Sequence, residues 1–211
     1  MLTLHNITKS YTKANKTPPI GKQAGVLQGY SANFTSPRSC VVGENGSGKS
    51  TLLLVIAGLL SPDAGIIKWQ QKTTLCKQRK QMFAIASDSI AIPEFLTAQQ
   101  VIELNQSTWQ LPMPDALIEQ FNFGPHIFKT IDALSAGNLK KLQLISVFMR
   151  QPSLLLLDEP NIALDQQSVN ALWNIIDCYN GKIIVASNEP TLFEAKGFNI
   201  EALSKISDLH G

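Results

Sequence analysis

Val41-Val42-Gly43-Glu44-Asn45-Gly46-Ser47-Gly48-Lys49-Ser50-Thr51 is the stretch whose reading decides the fold. It fits the pattern G-x-x-x-x-G-K-[ST], with Gly43 and Gly48 as the fixed glycines, Lys49 as the lysine and Ser50 as the hydroxyl. Gly43, Gly46 and Gly48 permit backbone torsions that let successive N–H groups turn inward around an anion. The apolar run Cys40-Val41-Val42 before the loop predicts a buried strand, and Ser50-Thr51-Leu52-Leu53-Leu54-Val55-Ile56-Ala57 after it predicts a helix. The amino end of that helix adds N–H groups and a positive dipole to the loop. Glu44, Asn45, Ser47 and Thr51 complete the phosphate-binding stretch. Lys49 is expected to neutralise outer phosphates, and Ser50 to hold a magnesium ion between them.

Composition bounds what surrounds the loop. The 211 residues, 44% of them hydrophobic, suffice for one domain with a sizeable core. A net charge of +2 argues neither for nor against nucleic acid, since a binder usually shows a concentrated basic face; no nucleic acid is expected as a partner. The run Lys77-Gln78-Arg79-Lys80 reads as a solvated surface segment. Cys40, Cys76 and Cys178 lie far apart, with neither zinc-site nor disulfide spacing, as suits reduced thiols in a cytosol. The longest apolar stretch, Leu52 to Leu60, is about half of what a bilayer requires. The amino terminus shows no signal-peptide pattern, so work at a membrane is expected to go through a partner.

Alternation predicts strands around Leu2, Leu4 and Ile7, around Tyr30 to Phe34, and at Ile66 to Trp69. Pro18-Pro19, Gly21 and Gly25 predict a surface loop between the first two. From Thr97 to Arg150 apolar residues recur at helical spacing with Pro112, Pro114 and Pro125 between them, which predicts a helical insert. Ser153-Leu154-Leu155-Leu156-Leu157-Asp158 reads as a buried parallel strand. A helix over about Gln166 to Tyr179 and a strand over Lys182 to Ala186 complete a strand, helix, strand unit. The fold class that results is α/β: a P-loop NTPase core with a mainly parallel sheet, an N-terminal antiparallel β portion and a helical insert.

Asp158-Glu159-Pro160 closes the Leu154 strand. A carboxylate at the carboxyl end of a parallel strand lies at the edge where such folds bind ligands. Asp158 is the candidate magnesium ligand, and Glu159 the candidate base for the water that attacks the terminal phosphate.

Leu134-Ser135-Ala136-Gly137-Asn138, about twenty residues before that strand, resembles the LSGGQ signature of the nucleotide-binding subunits of ATP-binding cassette (ABC) transporters, with Ala136 and Asn138 as departures. The resemblance covers nearly the whole chain. It implies a single ABC ATPase domain over 1–211, with 1–86 and 151–211 as nucleotide-binding core and about 87–150 as helical subdomain. It further implies ATP and Mg2+ as cofactors, and a head-to-tail dimer of like or unlike cassettes in which Ser135 and Gly137 of one subunit reach the nucleotide of the other. An integral membrane permease is the implied partner, and a cytoplasmic, peripheral place at the membrane the implied location. Tyr11 resembles the aromatic that stacks on adenine, and Asn161-Ile162-Ala163-Leu164-Asp165 the loop that contacts the opposite site.

Two positions depart from the family. Asp88 stands where a glutamine joins core to insert, and is carried over as a metal-site residue. Asn188 stands where a histidine contacts the terminal phosphate; it is carried over as catalytic beside Glu159 and Lys49, although it holds no charge. Both departures imply slow ATP hydrolysis. A catalytically weakened cassette that binds ATP beside an active paralogue is the alternative reading, which the retained Glu159 weighs against. A soluble cassette acting on ribosomes or DNA, usually built with two cassettes, is a third. The short signature and the turn Pro62-Asp63-Ala64-Gly65 also faintly resemble the haem-exporter ATPases of cytochrome c maturation.

Overall fold

The computed structural model describes residues 1–11 and 27–203. The loop expected around Pro18 to Gly25 lies outside the described residues. The chain divides into two compact units. Met1–Ile85, Ser153–Glu159 and Lys182–Gly211 make the first, Ala86–Pro152 and Pro160–Gly181 the second. Residues 160–181, grouped with the core on sequence grounds, cluster by packing with the helical residues.

The first unit holds two sheets. Strands β1 (Leu2–Lys9), β2 (Leu27–Phe34), β4 (Ala64–Trp69) and β5 (Lys72–Thr73) form the first, in the order β2-β1-β4-β5. β1 runs antiparallel to both neighbours, with Leu2 opposite Phe34 on one side and Trp69 on the other. Alternation puts Leu2 and Leu4 into a core that also takes Phe34, Ile67 and Trp69, and the break in register before Ile7, where Asn6 adopts φ 50, brings Ile7 into the same core. β3 (Arg38–Val42), β6 (Phe83–Ala86), β7 (Leu154–Asp158), β8 (Lys182–Ser187) and β9 (Asn199–Ala202) form the second sheet, ordered β6-β7-β8-β3-β9. The pairs β7–β8, β8–β3 and β3–β9 are parallel. Leu154 to Leu157 are fully buried, as expected of a strand covered on both faces.

Helix α1 (Lys49–Ala57) packs on β7 and β8 and buries every residue except Ser50, which explains its lack of a polar face. Gly58 ends it at φ 80, where its N–H reaches the carbonyls of Leu54 and Val55. A side chain there would meet the Cys76 carbonyl at 2.5 Å.

The run Lys77 to Lys80 departs from its sequence reading. It lies on helix α2 (Cys76–Met82), where Lys77, Gln78 and Lys80 are exposed but Arg79 is buried. Its guanidinium donates to the carbonyls of Thr74 and Val55, so the arginine satisfies backbone that α1 and the preceding turn leave open. Charge pattern alone could not separate this one inward position from its neighbours.

The second unit is helical, with α3 (Ala98–Trp109), α4 (Asp115–Gln120), α5 (Ala136–Phe148) and α6 (Gln166–Cys178). Thr97 and Gln100 form a reciprocal capping box at the start of α3. The prolines fall between helices: Pro114 caps α4 and Pro125 sits in the 3-10 turn Gly124–His126. A short helix α7 (Pro190–Ala195) in the first unit leads from β8 towards β9.

Candidate nucleotide site

Parallel pairing decides where the site forms. Val42 is opposite Ser187 and Ala186 opposite Asp158, so β3, β8 and β7 end together at one edge of the sheet. The residues that follow each strand are the phosphate-binding loop, Asn188 and Glu159. Chain segments far apart in sequence are thus delivered to one place.

The loop has the shape its glycines predict. Gly46 and Gly48 adopt φ 78 and φ 106. At Gly43 a Cβ would come within 2.7 Å of Ser47 Oγ and 2.8 Å of the Leu203 carbonyl, so backbone crowding demands glycine there. No side chain caps the amino end of α1, which leaves its positive end to an anion. Ser47 Oγ is buried without a hydrogen-bond partner in the protein. A buried hydroxyl of this kind calls for a ligand atom, and a phosphate oxygen fits it.

Lys49 is buried, and its ammonium donates to the carbonyls of Gly43 at 2.6 Å and Glu44 at 3.1 Å and to Asn188 Oδ1 at 2.5 Å. The Asn188 amide nitrogen in turn donates to Asn45 Oδ1 at 2.7 Å. Asp158 is buried at the end of β7. Glu159 follows at φ 45, a left-handed conformation that costs a non-glycine residue about 1 kcal/mol or more. Its N–H extends the β7–β8 ladder by one bond to the Ala186 carbonyl at 2.9 Å. The Ser187 hydroxyl donates to Glu159 Oε2 at 3.0 Å. Burial pushes the Glu159 carboxyl above the usual carboxylate range, against the pull of the Ser187 hydroxyl and of Lys49. A raised carboxyl near an ammonium is suited to take a proton from water.

Among the described residues no three His, Cys, Asp or Glu side chains gather as a metal site. The oxygen donors Ser50 and Asp158 fit magnesium, which takes one or two protein ligands and completes its shell with phosphate oxygens and water.

Tyr11 is half-buried beyond the end of β1. The preceding residues are tied down by Asp63, which accepts from Lys9 Nζ and from the Ser10 N–H, both at 2.8 Å.

In the second unit Ser135 caps α5, its Oγ accepting from the Asn138 N–H at 3.3 Å. A Cβ on Gly137 would lie 2.5 Å from the Ala163 carbonyl, so the signature glycine admits the Asn161 to Asp165 loop at close range. Two consecutive lysines of α5, both buried, reach opposite ways: Lys140 to Asp88 and Lys141 to Asp165, each at 2.7 Å. Asp88 is thus the ion-pair partner of Lys140. Ser187 and the two lysines are the functional candidates that sequence reading missed; the adjacency of Ser187 to Asn188 was the one available signal.

A sequence model of the ABC transporter family matches residues 35–162, a span that holds the phosphate loop, the Ser135 signature and the Asp158-Glu159 pair. The chain belongs to the ABC transporter family. Its fold is that of the family's ATP-binding cassettes, as the sequence implied. The cassette is 30% identical over 177 residues to a protein named as an ABC transporter ATP-binding protein in Archaeoglobus fulgidus, covering 79% of this chain and 74% of that one. It is also 30% identical to ABC transporter F family member 4 of Arabidopsis thaliana, over 74% of this chain, yet it spans only 21% of that longer protein. A dimeric ATP-binding cassette solved in a post-hydrolysis state with ADP and Pi superposes with a TM-score of 0.69 at 22% identity, over 88% of this chain and 87% of the other.

Proposed function

We propose that this cassette hydrolyses ATP in a head-to-tail dimer and drives a membrane permease. The observation that carries the reading is the meeting of Lys49, Asp158, Glu159 and Asn188 at one sheet edge, around a loop whose buried Ser47 hydroxyl awaits a phosphate oxygen. Lys49 and the loop N–H groups bind the phosphates, and Lys49 supplies the point charge for the outer ones. Ser50 and Asp158 would hold Mg2+, which would supply positive charge to the phosphates. Glu159 accepts the proton of the attacking water, and Ser187 holds its carboxylate towards that task. Asn188 offers an amide to the terminal phosphate without the charge of a histidine, which slows turnover.

Ser135 and Gly137 serve the partner cassette: the Ser135 side chain takes only the Asn138 N–H, so its hydroxyl proton and the Gly137 N–H at the amino end of α5 are the donors offered to a phosphate. The resemblance to transporter subunits supports a permease as the driven partner. Among the described residues no helix is long and apolar enough to cross a membrane; the cytoplasmic place at the membrane, through that permease, rests on the resemblance to transporter subunits.

The dimer is tested by light scattering of Glu159→Gln at saturating ATP, where ATP persists. A dimer is expected there, and a monomer once Ser135→Arg is added. A monomer in Glu159→Gln alone would contradict the head-to-tail arrangement.

A further inference from the structure

An ammonium has three protons, and the Gly43 and Glu44 carbonyls and Asn188 Oδ1 supply three acceptors for Lys49. The two carbonyls belong to the loop and travel with the lysine. Asn188 does not. It arrives from the end of β8, 139 residues away in sequence, and offers the shortest of the three contacts at 2.5 Å. The other end of the same amide holds Asn45 Oδ1 at 2.7 Å, so one side chain is fastened to the loop at two points. Electrostatics sets the direction of the amide. With its oxygen on the ammonium and its nitrogen on the Asn45 oxygen both contacts attract, whereas a flipped amide would set donor against donor and acceptor against acceptor.

Phosphate oxygens seek the same ammonium. A ligand that needs Lys49 must first part it from Asn188, and its apparent affinity falls by the fraction of molecules in which that contact is made. We propose that Asn188 is a positioning residue that clasps Lys49 and Asn45 and competes with phosphate for the lysine, so that it sets nucleotide affinity as well as turnover. The inference rests on the reading of residues 43–51 as a nucleotide phosphate site.

ADP is the cleanest probe, since it has no terminal phosphate to which a residue 188 amide could donate. Isothermal titration of ADP with Mg2+ into the full chain compares the wild type with Asn188→Ala, Asn188→Leu and Lys49→Ala. Both Asn188 variants are expected to lower Kd by about three- to tenfold, the worth of one net hydrogen bond. Leucine keeps the branched shape and heavy-atom count of asparagine without its polar atoms and opens no space, so tightening in both variants assigns the effect to the lost amide and not to packing. Unchanged or weaker ADP binding in both variants overturns the clasp. Tightening in alanine alone overturns it too, since relief of packing would then be the cause. The nucleotide reading fails separately, if Lys49→Ala binds ADP as well as the wild type does.

Discussion

Ser187 and Glu159 form a hydrogen bond of 3.0 Å across the ends of two adjacent parallel strands, and the serine is wholly buried. Its Oγ also accepts from the Glu189 N–H at 3.2 Å, so the hydroxyl proton is directed at the carboxylate. One side of the proposed base is thereby fixed by the sheet itself, through the register that sets Ser187 opposite Val42 and Ala186 opposite Asp158.

Ser187→Ala removes that bond and frees the Glu159 carboxylate to rotate. The expected outcome is a fall in kcat of about three- to thirtyfold with the KM for ATP nearly unchanged, because the contact orients a reacting group and does not touch nucleotide. Steady-state phosphate release over an ATP series measures both constants.

Gly137→Ala places a methyl group where 2.5 Å separates it from the Ala163 carbonyl. Backbone must move to relieve this, at a cost of about 1–3 kcal/mol. Denaturant unfolding is expected to show the loss in the variant, whereas Gly124→Ala, whose Cβ would meet nothing within 4 Å, should cost much less.

Asp165 is held at about 2, against an ordinary 3.8, chiefly by the Lys141 side chain and then by the Ser168 N–H. A depressed carboxyl contributes stability that is fully present above its unfolded value and is lost as pH falls through its folded one. The stability of the chain should therefore decline between about pH 4 and pH 2, and Asp165→Asn should flatten part of that decline while lowering the plateau near pH 7. The same window applies to Asp63, held at about 2 by Lys9 and Ser10. Both carboxylates are largely exposed, so salt should shrink the effect.

The parts of this fold that could be read in advance are those whose signal lies within a few residues. Gly43 to Thr51 carries strand, loop and helix in one run, and Leu154 to Leu157 is apolar without a break because both faces of its sheet are covered. β9 gave no such signal. Asn199, Glu201 and Ala202 form a strand because the edge of β3 accepts their backbone, a reason that sits in the partner and not in the residues. The same holds at the site. The types of Asn188 and Asp88 were legible, whereas their partners Lys49, Asn45 and Lys140 are pairings across 52 residues or more, which no local pattern encodes. Arg79 was misjudged for a related reason, its hydrogen bond to Val55 being 24 residues distant.

Phosphate release from ATP tests the central claim most directly, measured with Mg2+ on the wild type, Glu159→Gln and Lys49→Ala under identical conditions. The account predicts slow but definite turnover in the wild type. Glu159→Gln should lose at least about a hundredfold while still binding ATP, and Lys49→Ala should lose binding and turnover together. Turnover in Glu159→Gln equal to that of the wild type, or no release above the uncatalysed rate in the wild type, would contradict it.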